Sequence, residues 1–153
     1  ALQQLPDAMA SETAVRADAE DALSEAPHTQ VLARGAGLGL AQETALKLIE
    51  TCGIHALAVS GAEVLHGHRA LVAPGYPVLV LTGGPPHGLT QALSQLTGQG
   101  AKLLCFTPNS SLHPLVDPLL TLMPLYRMVE SLARRRGLSP DAPRHLTKET
   151  STV

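Results

Sequence analysis

At 153 residues the chain has the length of one domain. A chain that long buries roughly two thirds of its unfolded surface, enough for a core that needs no staple. With 11 Lys and Arg against 13 Asp and Glu the formal net charge is −2, which excludes the broad basic footprint that nucleic acid or an anionic membrane requires. One Phe, two Tyr and no Trp leave Leu, Ala and Val to build the core, a composition suited to helices laid on a parallel sheet.

The opening stretch, Leu5 to Ala26, carries a loose helical stripe of Leu5, Met9, Val15, Ala19 and Leu23. It reads as one helix docking at the domain's edge, broken by Pro27. Thr29 to Arg34 reads as a first strand. A helix from Leu38 to Cys52 follows, stopped by Gly53. His55 to Val59 is a second strand, and Ser60 to Leu65 a short helix before the loop His66-Gly67-His68. Tyr76 to Thr82 is an apolar run of the kind buried on both sheet faces. The pattern then predicts a loop at Gly83 to Pro86, a helix from His87 to Thr97 and a strand from Lys102 to Thr107. A short last strand at Leu119 to Leu122 and a helix from Met123 to Arg136 complete the order. At that helix's end the run Arg134 to Arg136 suits a helix dipole.

Strands alternating with helices imply crossover units and a parallel sheet of four or five strands. Ligands of such sheets sit at the strands' C-terminal ends, so chemistry is expected in the loops after Arg34, Val59, Thr82 and Thr107. Three segments are expected: a linker helix over 1–28, the α/β domain over 29–136 and a tail over 137–153. No apolar run reaches the ~18 residues of a membrane span and no leader pattern is visible, so a cytoplasmic location is expected. Cys52 and Cys105 lack CxxC spacing and read as two buried thiols in a reducing compartment; a disulfide between them stays open.

Gly35-x-Gly37-x-Gly39 sits between strand and helix, but its spacing departs from the dinucleotide fingerprint, so a tight turn is expected and no nicotinamide cofactor. On the next helix Glu43, Lys47 and Glu50 fall at i, i+4 and i+7, on one face. They read either as an exposed stripe with one ion pair or as a carboxylate–lysine pair built for proton transfer. The same face is expected at the mouth after Arg34. His55, Glu63 and His66 do not converge as metal ligands must, and no metal is expected. Histidine is the side chain whose proton exchange suits neutral pH, and one on a loop, as His66 is, can reach a neighbour's site. The tail Pro143 to Lys148 reads as a basic terminus or as a docking segment whose lysine forms a Schiff base.

Four motifs taken together resemble one family. They are Ala45-Leu-Lys-Leu-x-Glu50, Ile54-His-Ala56, Gly61-Ala-Glu-Val-x-His-Gly67 and Asp141-x-Pro-Arg-x-Leu-x-Lys148. In this order they resemble the C-terminal SIS (sugar isomerase) domain of glucosamine-6-phosphate synthases. The resemblance implies a three-layer α/β/α sandwich with a parallel, flavodoxin-like sheet. It implies a hexose or hexosamine 6-phosphate substrate interconverted between keto and aldo forms. It implies an N-terminal SIS domain as partner, homo-oligomers and no cofactor. By the same resemblance Glu50 is the base between C1 and C2, Lys148 the imine-forming lysine and His66 the ring-opening histidine supplied across a dimer. Glu43 and Lys47 order the site and bind substrate. His68 stands where the family usually has Pro, which leaves the His66 loop less rigid. The family's Ser/Thr phosphate loop belongs to the N-terminal SIS domain, so this chain alone is expected to be inactive. Synthase and deaminase both fit, and a non-catalytic sugar-phosphate-binding regulator is the alternative class. Glu50 and Lys148 together argue against that class, since binding alone needs no imine-forming lysine.

Overall fold

A computed structural model describes residues 1–12, 16–83 and 88–146. Among them are four strands in one parallel sheet of order β2-β1-β3-β4: β1 (His28–Ala33), β2 (His55–Ser60), β3 (Pro77–Leu81) and β4 (Lys102–Phe106). The pairs are in register at His28↔His55, Gln30↔Val78 and Pro77↔Lys102. The central strands are apolar because both of their faces are covered: every residue of β3 is buried, and in β1 only His28 is exposed.

One layer holds α2 (Ala17–Leu23), α3 (Gly37–Cys52) and α7 (Leu122–Arg135). Leu23, Leu48, Leu125, Met128 and Leu132 pack there on Val31, Leu79 and Leu104. The other holds α4 (Glu63–His66), a 3-10 turn at His68–Leu71 and α5 (Thr90–Gly98), where Val64, Leu89 and Leu96 meet Leu32, Val59 and Val80. The three-layer parallel α/β sandwich is thus present. Strand order reverses between β1 and β3, the position at which open α/β sheets form a crevice. There the loops are tied by Arg34, whose Nη1 donates to the Gly88 carbonyl at 2.7 Å.

Three expectations need correction. The opening stretch contains two helices, α1 (Leu5–Ser11) and α2, with Glu12 and Arg16 both non-helical. Glu12 is buried and accepts hydrogen bonds from the backbone and side chain of Asn109, which pulls the chain out of helix and onto the loop after β4. The last strand does not form: α6 (Asp117–Leu120) and the start of α7 occupy those residues. Pro118 has no amide for a ladder and suits a first helical turn. Both thiols are free, but only Cys52 is buried; Cys105 is exposed, because β4 is an edge strand with one face open.

Candidate functional site

α3 is helical because Leu40, Ala41, Thr44, Ala45, Leu48 and Cys52 recur at helical spacing and are all buried. Gly53 ends it in the left-handed region at φ +64, and the Ile54 amide bonds back to the Leu48 carbonyl. This registration leaves Glu43, Lys47 and Glu50 together on the half-exposed face. Lys47 Nζ donates to Glu50 Oε2 at 2.7 Å, with the two side chains 33% and 29% exposed. The bond from Lys47 to Glu50, with the charges of Glu50 and Glu43, raises the lysine's pKa against the opposing effect of burial. Screening at that exposure makes the pair worth a few tenths of a kcal/mol to stability, by the usual measure of surface helix pairs.

The face is as expected; its place along the sheet is not. A 16-residue helix rises about 24 Å, the full length of these strands. α3 starts at the C-terminal edge of β1 and runs back, so Glu50 lies at the opposite edge, beside Gly53 and the strand starts His28 and His55. The mouth after Arg34 is therefore not where Glu50 sits. Its polar groups pair with one another: the side chains of Ser60 and Glu63 each accept from the other's amide, and Thr82 Oγ1 donates to Thr107 Oγ1 at 2.9 Å.

Glu50 instead lines a groove of about 330 Å³ with Thr51, Leu138, Pro143, Arg144 and His145. The tail returns to this end because α7 runs antiparallel to β1. The Leu138 amide bonds the Ala133 carbonyl, and the chain turns through Gly137 at φ +72. His145 also takes a positive φ, +63, a conformation costly to most side chains and better tolerated by His. Lys148 lies outside the described residues.

His66 is not brought to this groove. It ends α4 on the far face of the sheet, exposed, lining a separate polar groove with Arg69, Gln95 and Gln99. The loop after it is anchored despite His68: Gln30 Nε2 donates to the His68 carbonyl at 2.8 Å. Among the described residues no three His, Cys, Asp or Glu converge as metal ligands, and no helix is long and apolar enough to cross a membrane.

One contact was not legible in the sequence. Tyr126, on α7, donates from Oη to Glu43 Oε1 at 2.9 Å. The hydrogen bond to Glu43, with burial and the same carboxylate's charge, raises the phenol's pKa against the pull of Lys47. The only signal was a tyrosine off α7's apolar stripe, and its partner depends on how α7 crosses α3.

The SIS domain model matches residues 22–118. The glutamine–fructose-6-phosphate aminotransferase [isomerizing] of Aeropyrum pernix is 36% identical over 176 residues, covering 99% of this chain and 28% of the relative. A solved protein of Silicibacter pomeroyi, provisionally assigned as a phosphosugar isomerase, is 34% identical with a TM-score of 0.79, over 92% of this chain and 47% of that one. The C-terminal domain of glucosamine-fructose-6-phosphate aminotransferase from Francisella tularensis shares the fold at 24% identity, with a TM-score of 0.74 over 90% of this chain and 43% of that one. The chain thus spans about a quarter of the length of the curated relatives it matches.

Proposed function

Because the chain belongs to the SIS domain family, we propose that it is the half of a sugar-phosphate isomerase unit that brings the acid–base helix. The unit acts on a hexose or hexosamine 6-phosphate within an aminotransferase or a deaminase. The observation that supports this reading best is the Lys47–Glu50 pair, 2.7 Å apart, with Glu50 on a groove walled by Pro143, Arg144 and His145, the residues leading to Lys148.

Aldose–ketose interconversion moves one proton between C1 and C2 of an open-chain sugar and one between the heteroatoms those carbons carry. A carboxylate held in place by a lysine's hydrogen bond at a groove is suited to the carbon proton. Glu50 takes it from C1 and returns it to C2, while Glu43 and Lys47 order the carboxylate and meet the substrate. Lys148 condenses with the ketose carbonyl, releasing water and leaving an imine in an open chain. His66 serves the ring oxygen from a second subunit, which fits its exposure on the face away from Glu50. The unit is then a homodimer of SIS pairs, and the substrate phosphate is held by the N-terminal SIS domain.

The 153-residue chain alone is expected to turn over neither fructose 6-phosphate nor glucosamine 6-phosphate. Paired with an N-terminal SIS domain of the family it should gain aldose formation or ammonia release. Glu50→Gln should then lower that rate by ~10²–10⁴-fold. Turnover on the order of 1 s⁻¹ by the chain alone would overturn the half-site reading. Sugar-phosphate binding in the paired protein, with no turnover and no response to Glu50→Gln, would favour a regulator. Sedimentation of the paired protein tests the dimer, and a monomer would remove His66 from the site.

A further inference from the structure

We propose that Tyr126 is a positioning residue that holds Lys47 on Glu50 by occupying Glu43; the proposal rests on the reading of Glu50 as the base. Lys47 stands between two carboxylates of one helix face, four residues after Glu43 and three before Glu50. Helix geometry alone prefers Glu43, because Glu placed N-terminal to Lys at i, i+4 is the better orientation. The structure has the other pairing, with Nζ on Glu50 Oε2 at 2.7 Å.

What holds Glu43 back comes from a different helix. Tyr126 Oη donates to Glu43 Oε1 at 2.9 Å, and α7 is fixed against α3 by Leu125, Met128 and Val129 in the shared core. A phenolic donor takes up acceptor capacity of the carboxylate and turns it toward α7. Lys47 is left to Glu50, and its bond to Oε2 fixes the orientation of the carboxylate that takes the carbon proton. The pKa of both donors is raised, Tyr126 first by its bond to Glu43 and Lys47 first by its bond to Glu50, so both keep their protons at neutral pH.

The test is NMR of the 153-residue chain, reading the coupling across the hydrogen bond from Lys47 Nζ to the side-chain carboxyl carbons of Glu43 and Glu50. In Tyr126→Phe the coupling to Glu50 should fall to roughly half and one to Glu43 should appear, since the two helical pairings are close in energy. Tyr126 is 40% exposed, so the melting temperature should scarcely move; a merely structural tyrosine would shift it and leave the couplings alone. In Glu43→Gln the Glu50 coupling should stay full, and adding Tyr126→Phe should change nothing. An unchanged coupling in Tyr126→Phe would overturn the proposal. So would an equal loss with and without Glu43, which would mean that Tyr126 acts by another route. These couplings require no turnover, so the outcome is independent of the activity of Glu50→Gln.

Discussion

Asp117 shows how a single buried carboxylate shapes a loop. It is 2% exposed and accepts the Ser111 hydroxyl at 2.6 Å and the amides of Leu112 and His113 at 2.7 and 2.9 Å. Burial pushes its carboxyl up, but the Ser111 bond, the two amide bonds and the nearby His113 outweigh burial and leave it below the ordinary range. A group whose folded-state pKa is depressed stabilises the fold above its unfolded value, about 4, and loses that contribution as pH falls through the folded value. Asp117→Asn should therefore cost on the order of 1–3 kcal/mol at neutral pH, and the gap should narrow as the pH falls below about 4. Urea unfolding of the two proteins across that range checks it; a gap indifferent to pH would show that the ionised form is not what the loop binds.

At the scale of elements, Arg136 joins three helices. From the end of α7 its Nε donates to the Cys52 carbonyl at 2.8 Å, at the end of α3. Nη1 is shared among the carbonyls of Leu23, Ser24 and Ala26, at and just past the end of α2, at 3.0, 2.7 and 3.3 Å. These are carbonyls without helical partners, and a cation there also meets the dipole's negative end. Arg136→Lys keeps the charge but loses the planar fork, and is expected to lower stability by about 1–2 kcal/mol. An unchanged urea midpoint would mean that charge alone suffices. Of the basic run, Arg136 meets carbonyls of other helices, while Arg134 and Arg135, in the last turn of α7, pair with Glu130 and Asp21. Periodicity revealed α3, β3 and α7 because their apolar spacing is set by the core they share. It missed α6, whose four residues are too few for a period, and the break at Glu12, whose cause is Asn109, far along the chain. In the candidate site the Glu43–Lys47–Glu50 face was legible from helix spacing. Its position at the strands' N-terminal edge was not, because spacing states which face a residue shares and not how far along the sheet it lies. Tyr126 is a contact between helices, and no local pattern encodes it.

For the molecule as a whole, the strand order divides the sheet into two crossover halves, β1-α3-β2 and β3-α5-β4, that meet along β1 and β3. The seam has the shortest ladder, Gln30 to Leu32 against Val78 to Val80, and its partners lie nearly twice as far apart in sequence as those within either half. It is reinforced by one buried side-chain bond, Thr29 Oγ1 donating to the Pro77 carbonyl at 3.0 Å. Longer loops cost more to close, and contacts made late in folding weigh on the unfolding rate. The order of assembly should follow: each half gathers first and the seam zips last. Thr29→Val should then speed unfolding and leave refolding almost untouched, whereas Leu104→Ala, inside one half, should slow refolding. Stopped-flow chevrons distinguish the two cases, and a seam variant that slowed refolding as much as Leu104→Ala would place the seam in the nucleus. On the expected order, the boundary where the strand order reverses is also the line along which the native domain first comes apart.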